Sequence, residues 1–394
     1  MKPNTRLVTG GRDHSRSSGF VNPPLVRGST VLHDSVADMR ERVRRRSAGD
    51  DSAPVAYGIY GSPTHHAFLE ALTELEHGHR SWAFPSGLAA CTIPILAYVR
   101  QGDHVLVPDS VYWPTRRFCR DTLVRYGVET TFYDPRAGED LQALFRPTTR
   151  VLFLESPGSH TFEVQDVPLL AAIARRNGAV SIIDNTWATP LYFQPLRHGV
   201  DVSVHAATKY IGGHSDLLMG TATASEQAWP ALRDAIHQYG ITTSPDDCWL
   251  ALRGLRSMAA RLAMHRASAE RLIDWLRGQP EVERVLYPAL ADDPGHALWQ
   301  RDFSGASGLF GVALRPQVPE AGLVALVDSL KLFGRGYSWG GFESLLIPSH
   351  PERTATASPF PGCGFRVAAG LEDPADLLED LQRGFDAMRG AMAG

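Results

Sequence analysis

Val-Asp-Val-Ser-Val-His-Ala-Ala-Thr-Lys-Tyr-Ile-Gly-Gly-His-Ser-Asp, residues 200–216, is the stretch that decides the fold of this chain. Val200, Val202 and Val204 alternate with Asp201, Ser203 and His205, the period-two pattern of a strand, and small residues then lead to Lys209. No other lysine occurs between Lys2 and Lys331 in a chain that otherwise relies on arginine. An ammonium can lose its proton and become a nucleophile, whereas a guanidinium stays charged, so the lysine marks a position where arginine would fail chemically. Taken alone, such a lysine also suits a strand cap or a partner for Asp216.

The preceding strand shifts that balance. Residues 181–188 read Ser-Ile-Ile-Asp-Asn-Thr-Trp-Ala, a short apolar run that delivers Asp184 and Asn185 at its carboxyl end. Two neighbouring strands then set a carboxylate and an amine on one rim, where open α/β sheets hold their ligands. Pyridoxal 5'-phosphate requires that pair. The lysine joins the cofactor aldehyde, and the aspartate keeps the pyridine nitrogen protonated so that the ring draws electrons from a carbanion.

The 394 residues are 43% hydrophobic and carry a net charge of −4, enough for a large core and no basis for a nucleic-acid or membrane partner. Cys91, Cys119, Cys248 and Cys363 are widely spaced, which points to neither a disulfide framework nor a metal site. The polar first eighteen residues lack the apolar run of a secretion signal, and no segment is long and apolar enough for a membrane helix. The expectation is a cytoplasmic enzyme.

Residues 1–62, rich in Gly, Pro, Ser and Arg, predict an extended arm with little core of its own that completes a neighbouring subunit. Only Val31 and Leu32 hint at a strand there, and the arginine run at 40–46 reads as a solvated helix face. Residues 63–255 predict the large cofactor domain, an α/β unit with a mostly parallel central sheet and helices on both faces. Within it, Phe84-Pro85-Ser86-Gly87 opens an Ala-rich helix whose free N–H groups suit a phosphate. Tyr112 and Trp113 follow a strand and are expected on a loop, one ring placed to stack on a flat cofactor. A long helical stretch over 249–275 joins this unit to a smaller C-terminal α/β domain, residues 256–394. There Arg366 sits among apolar neighbours, a costly place for a guanidinium without an anion.

Together these blocks resemble the cystathionine-lyase and synthase family, the Cys/Met metabolism branch of fold-type I pyridoxal phosphate enzymes. The likeness runs from Thr5 to about Phe385 and rests on several motifs: Tyr57-Gly58, the Ser86-Gly87 turn, Gln101-Gly102-Asp103-His104, and Glu155-Ser156-Pro157-Gly158-Ser159. Further on come Asp184-Asn185-Thr186, Ala206-Ala207-Thr208-Lys209-Tyr210, Tyr337-Ser338-Trp339-Gly340-Gly341, and Arg366 with Gly370-Leu371-Glu372-Asp373. The resemblance implies that Lys209 holds the cofactor and shuttles protons, that Asp184 pairs with the pyridinium and that Tyr112 stacks on the ring. It implies that Ser86, Gly87 and Leu88 cradle the phosphate, helped by Thr208 and by Tyr57 from a neighbouring subunit. Arg366 would grip the substrate α-carboxylate, with Ser338 and Trp339 lining the pocket and Asn185 acting from behind or on the cofactor. The implied activity is carbon–sulfur β-elimination from an amino-acid thioether, foremost cystathionine to homocysteine, pyruvate and ammonia, in a homodimer at least and a tetramer by analogy. Leucine is usual at the Trp339 position in γ-acting relatives, so that block favours the β-reaction over a γ-lyase or γ-synthase.

Two departures bear on the substrate. Many members carry an arginine where this chain has Ile59, and an acidic residue is common where it has Trp113. A more apolar pocket mouth with one charge fewer predicts that simpler S-substituted cysteines compete well with cystathionine, as in a cysteine-S-conjugate β-lyase of a specialised pathway.

Overall fold

The computed structural model describes residues 1–13 and 19–393. Seven strands form the first sheet: β1 (Arg80–Phe84), β2 (His104–Pro108), β3 (Glu129–Tyr133), β4 (Thr149–Glu155), β5 (Val180–Asp184), β6 (Val202–Ala206) and β7 (Gly220–Ala224). Their order is β1-β7-β6-β5-β4-β2-β3, parallel from β3 through β6, with β7 antiparallel to both neighbours. The expected mostly parallel sheet is therefore present.

Its buried strands separate two cores by side-chain alternation. Leu152 and Leu154 of β4 join a cluster with helix Val167–Arg176, whereas Val151 and Phe153 join another with helices Gly87–Tyr98 and Trp229–Gln238. Helices thus cover both faces, which is why these strands read as continuous apolar runs. Helix Pro245–Arg277 passes through residue 255 without a break and packs at one end on the first sheet's surroundings and at the other on the second sheet. That second sheet contains β8 (Val282–Leu286), β9 (Leu309–Leu314), β10 (Leu345–Pro348) and β11 (Gly364–Ala368), in the all-antiparallel order β10-β11-β9-β8.

The first sixty residues differ from expectation at two points and agree at a third. Val31 and Leu32 form no strand, and Leu32 is 88% exposed. Pro3–Thr9 is a helix whose Leu7 is buried with Phe68, Leu72 and Leu252, so even this end contributes to a core. The arginine run does lie on a solvated helix, Val36–Ser47, capped by the Ser35 hydroxyl, and that helix buries none of its side chains. Further along, Trp113 is not on a loop. It begins helix Trp113–Arg117 because Pro114 has the fixed φ that suits a first helical turn.

Candidate active site

Parallel pairing in register places Glu155 beside Asp184 and Asp184 beside Val204, two residues before the end of β6. From there the chain turns through Ala207 and Thr208 to Lys209, so the amine and the Asp184 carboxylate share one rim of the first sheet as the sequence predicts. Thr186 ties them together: its N–H and hydroxyl donate to Asp184 Oδ1 at 2.9 and 2.5 Å, and its oxygen accepts the Ala206 N–H at 2.9 Å. The second carboxylate oxygen of Asp184 faces the Cys91 thiol at 3.6 Å.

The Lys209 amine is largely enclosed, and its Nζ donates to the Ser338 hydroxyl at 2.6 Å and lies 5.4 Å from the centre of the Trp339 ring. Burial, and then the Arg366 guanidinium, lower its pKa to about 8, with Asp184 pulling the other way. A neutral amine is therefore accessible near neutral pH. The Trp339-Gly340 turn presses on the lysine backbone. At Gly340, where φ is +83°, a Cβ would come within 3.0 Å of the Tyr210 nitrogen, so glycine is needed there.

Arg366 is 8% exposed in the middle of β11, and its Nη2 donates to the Ser338 carbonyl at 3.1 Å. Burial lowers its pKa to about 10, and among the described residues no carboxylate pairs with it, leaving a buried cation poised for an anion. Tyr112 is 43% exposed, and its N–H donates to Glu155 Oε2 at 2.7 Å. Burial raises its phenol pKa, as do Cys91, Asp184 and Glu155, while Arg366 opposes them; the ring thus lies within electrostatic reach of both sheets' contributions. Glu155 itself is pushed well up, by burial first and by the neighbouring Asp184 second.

The expected phosphate cradle is a helix N-terminus. Ser86 caps helix Gly87–Tyr98 by accepting the Ala89 N–H at 3.1 Å, and the N–H groups of Gly87 and Leu88 have no acceptor among the described residues. A Cβ on Gly87 would sit 2.6 Å from that of Ala206, so glycine lets the helix start abut the end of β6. These features fit pyridoxal phosphate: unclaimed backbone donors, a lysine with a lowered pKa and an ionisable carboxylate sharing one rim.

Three expected residues behave differently from that group. The Thr208 hydroxyl is already engaged, accepting the Met219 N–H at 3.0 Å and donating to its carbonyl at 3.2 Å. Asn185 is fully buried and donates to the Phe193 carbonyl at 3.0 Å, serving the following loop. Tyr57 is 52% exposed on the arm, and among the described residues it bonds to none of the other candidates. Conversely, Thr186, Cys91 and Glu155 surround Asp184 without having been singled out. Only the strand register, which sets residue 155 beside 184, makes Glu155 part of the site.

The sequence profile of the Cys/Met metabolism PLP-dependent enzymes matches residues 4–386. The chain belongs to that family. A putative cystathionine beta-lyase of Rhizobium johnstonii is 48% identical over 388 residues, 98% of this chain and 96% of the relative. Cystathionine beta-lyase of Escherichia coli is 40% identical over 391 residues, 98% of each chain. Among solved structures, cystathionine gamma synthase from Xanthomonas oryzae pv. oryzae superimposes with a TM-score of 0.88 at 29% identity, covering 99% of both chains. The protein is a PLP-dependent enzyme of fold type I, and among the described residues no helix is long and apolar enough to cross a membrane.

Proposed function

We propose that this enzyme is a cytoplasmic carbon–sulfur lyase that removes thiols from S-substituted cysteines by β-elimination, with cystathionine as the leading substrate. The observation that carries this reading is the Lys209 amine, lowered in pKa to about 8 and held 2.6 Å from Ser338, beside a buried Arg366. Pyridoxal phosphate, once bound, would supply an electron-withdrawing ring to take up the electron pair left at Cα.

The side chains perform the rest. Asp184, braced by Thr186, would face the ring nitrogen, and Tyr112 would stack on the ring. Arg366 holds the α-carboxylate with a planar fork that lysine cannot reproduce. That grip orients the Cα–H bond towards Lys209, which removes the proton as a neutral amine and returns it to the departing sulfur. Ser338, whose hydroxyl accepts from Nζ at 2.6 Å, would orient that amine. With one water consumed, cystathionine gives homocysteine, pyruvate and ammonia.

The arm around Tyr57 is exposed to receive a second copy, so we take the active unit to be a homodimer at least, and a tetramer by the family pattern. By the family pattern, Ile59 and Trp113 would leave the pocket mouth less charged, which favours tolerance of S-alkyl cysteines. A substrate panel read for pyruvate, 2-oxobutyrate and free thiol tests the reading, with molecular mass in solution testing the assembly. Pyruvate with an equivalent of thiol is expected. Release of 2-oxobutyrate, or no keto acid at all, would overturn the β-lyase assignment, and failure of S-alkyl cysteines to release thiol would overturn the tolerance.

A further inference from the structure

The connection between β10 and β11, residues 349–363, reaches from the second sheet to the first and is fastened there at three points, one on the loop after β4 and two around the turn that carries Tyr112. Arg353 Nη2 donates to Glu163 at 2.7 Å and to the Thr161 hydroxyl. Glu352 accepts from Arg120 Nη1 at 2.7 Å and from the Trp113 indole at 3.3 Å. The third point is Asp109, one residue beyond β2 and 1% exposed.

The Asp109 carboxylate gathers the backbone N–H groups of Thr354, Ala355 and Thr356 at 3.0, 2.9 and 2.8 Å. It also takes the hydroxyls of Thr354 and Thr356 at 3.2 and 2.9 Å and Arg116 Nη1 at 2.9 Å. Burial works against its charge, but these donors outweigh that penalty and hold its pKa at about 2. Arg116 carries the grip on to Tyr112, because the Arg116 N–H donates to the Tyr112 carbonyl at 3.0 Å. The Tyr112 N–H is already fixed by Glu155 at 2.7 Å, so the residue is held on both sides of its Cα. At the far end of the same connection, β11 carries Arg366.

We propose that Asp109 is a positioning residue that locks the 349–363 connection onto the Tyr112 turn, fixing Tyr112 of the first sheet relative to Arg366 of the second. The functional part of this inference rests on the proposed roles of those two residues. Asparagine keeps the shape of Asp109 but turns an amide NH2 towards groups that are themselves donors, so Asp109→Asn opens the lock from within. Thr356→Val is the milder break, removing one hydroxyl contact and leaving the carboxylate in place.

The test compares holoenzymes by steady-state kinetics well below melting, with cofactor content and amide hydrogen exchange measured on the same samples. Asp109→Asn is expected to retain cofactor, to exchange the amides of Tyr112 and residues 354–356 about tenfold faster, and to raise KM about tenfold or more with a smaller change in kcat. Thr356→Val follows the same pattern to a lesser degree. Wild-type KM and kcat in both variants, whatever their melting temperatures, would overturn the proposal and leave Asp109 a purely structural residue. If Asp109→Asn does not fold, Thr356→Val decides: a raised KM at unchanged melting temperature supports the lock, and an unchanged KM overturns it. A wild-type enzyme that releases no thiol would count against the lyase reading alone. The lock would then be decided by exchange at Tyr112, faster in the variants if it exists and unchanged if it does not.

Discussion

The two sheets supply one pocket by opposite means. On the first, parallel strands run in register, so Glu155 stands beside Asp184 at the spacing of neighbouring strands, about 4.8 Å, and the next strand leads on into the turn to Lys209. On the second, Arg366 lies mid-strand in β11, paired with Ile347 and Gly311, and Ser338 stands on a loop with φ at +90°. The first arrangement is a rigid rim whose members cannot shift separately. The second is brought to that rim from outside, and its alignment depends on what joins the sheets. Changes on the rim should therefore strike chemistry or cofactor retention, and changes on the second sheet should strike substrate binding.

The largest expected effect is at the rim. Lys209→Ala should lower pyruvate formation about 10⁴-fold or more and abolish the absorbance of covalently held cofactor; a yellow variant with residual turnover near wild type would break the comparison at its base. Asp184→Asn should reduce kcat about 10²–10³-fold while KM changes little, since a charge facing the ring matters chiefly when electrons arrive there. On the second sheet, Arg366→Lys should cost about 10–100-fold in kcat/KM, mostly through KM, by replacing a bidentate grip with a point charge. A loss confined to kcat would mean that Arg366 belongs functionally with the rim.

The smallest effect concerns pH. With a folded pKa of about 8 against an ordinary 10.5, the Lys209 amine should take up pyridoxal phosphate into the cofactor-free protein at a rate that climbs with pH below about 8 and levels above it. The stability sign is fixed by the same shift. Between about 8 and 10.5 the unfolded chain binds the extra proton, so this group's contribution is complete above 10.5 and is lost as pH falls towards 8. A capture rate that keeps climbing to pH 10 would show an amine with its ordinary basicity.

The rim was readable in the sequence because its strands are buried on both faces and end in residues that apolar strands do not otherwise tolerate, Asp184 and the turn to Lys209. The arm was harder. Leu7 and Val8 are an isolated apolar pair in a polar run, and nothing local shows that helix Pro3–Thr9 would lay Leu7 against Phe68 and Leu252. Val31 and Leu32 look like strand formers, yet no neighbouring edge takes them up. Trp113 is hard to place for a simpler reason: Pro114 suits a helix start as well as a loop, and hydrogen bonds such as that from the Arg116 N–H to the Tyr112 carbonyl complete the helix.

By itself, the order of residues determined the parallel α/β unit, the lysine and aspartate that fit a pyridine aldehyde, and a buried arginine waiting for a carboxylate, since each rests on local pattern or on the chemistry of one side chain. Tertiary structure alone decided that Glu155 stands beside Asp184, that Ser338 meets the amine and that Asp109 binds a segment some 245 residues away. Those pairings depend on strand register and on the meeting of two sheets, and long-range geometry of that kind leaves no periodic trace in the chain that creates it.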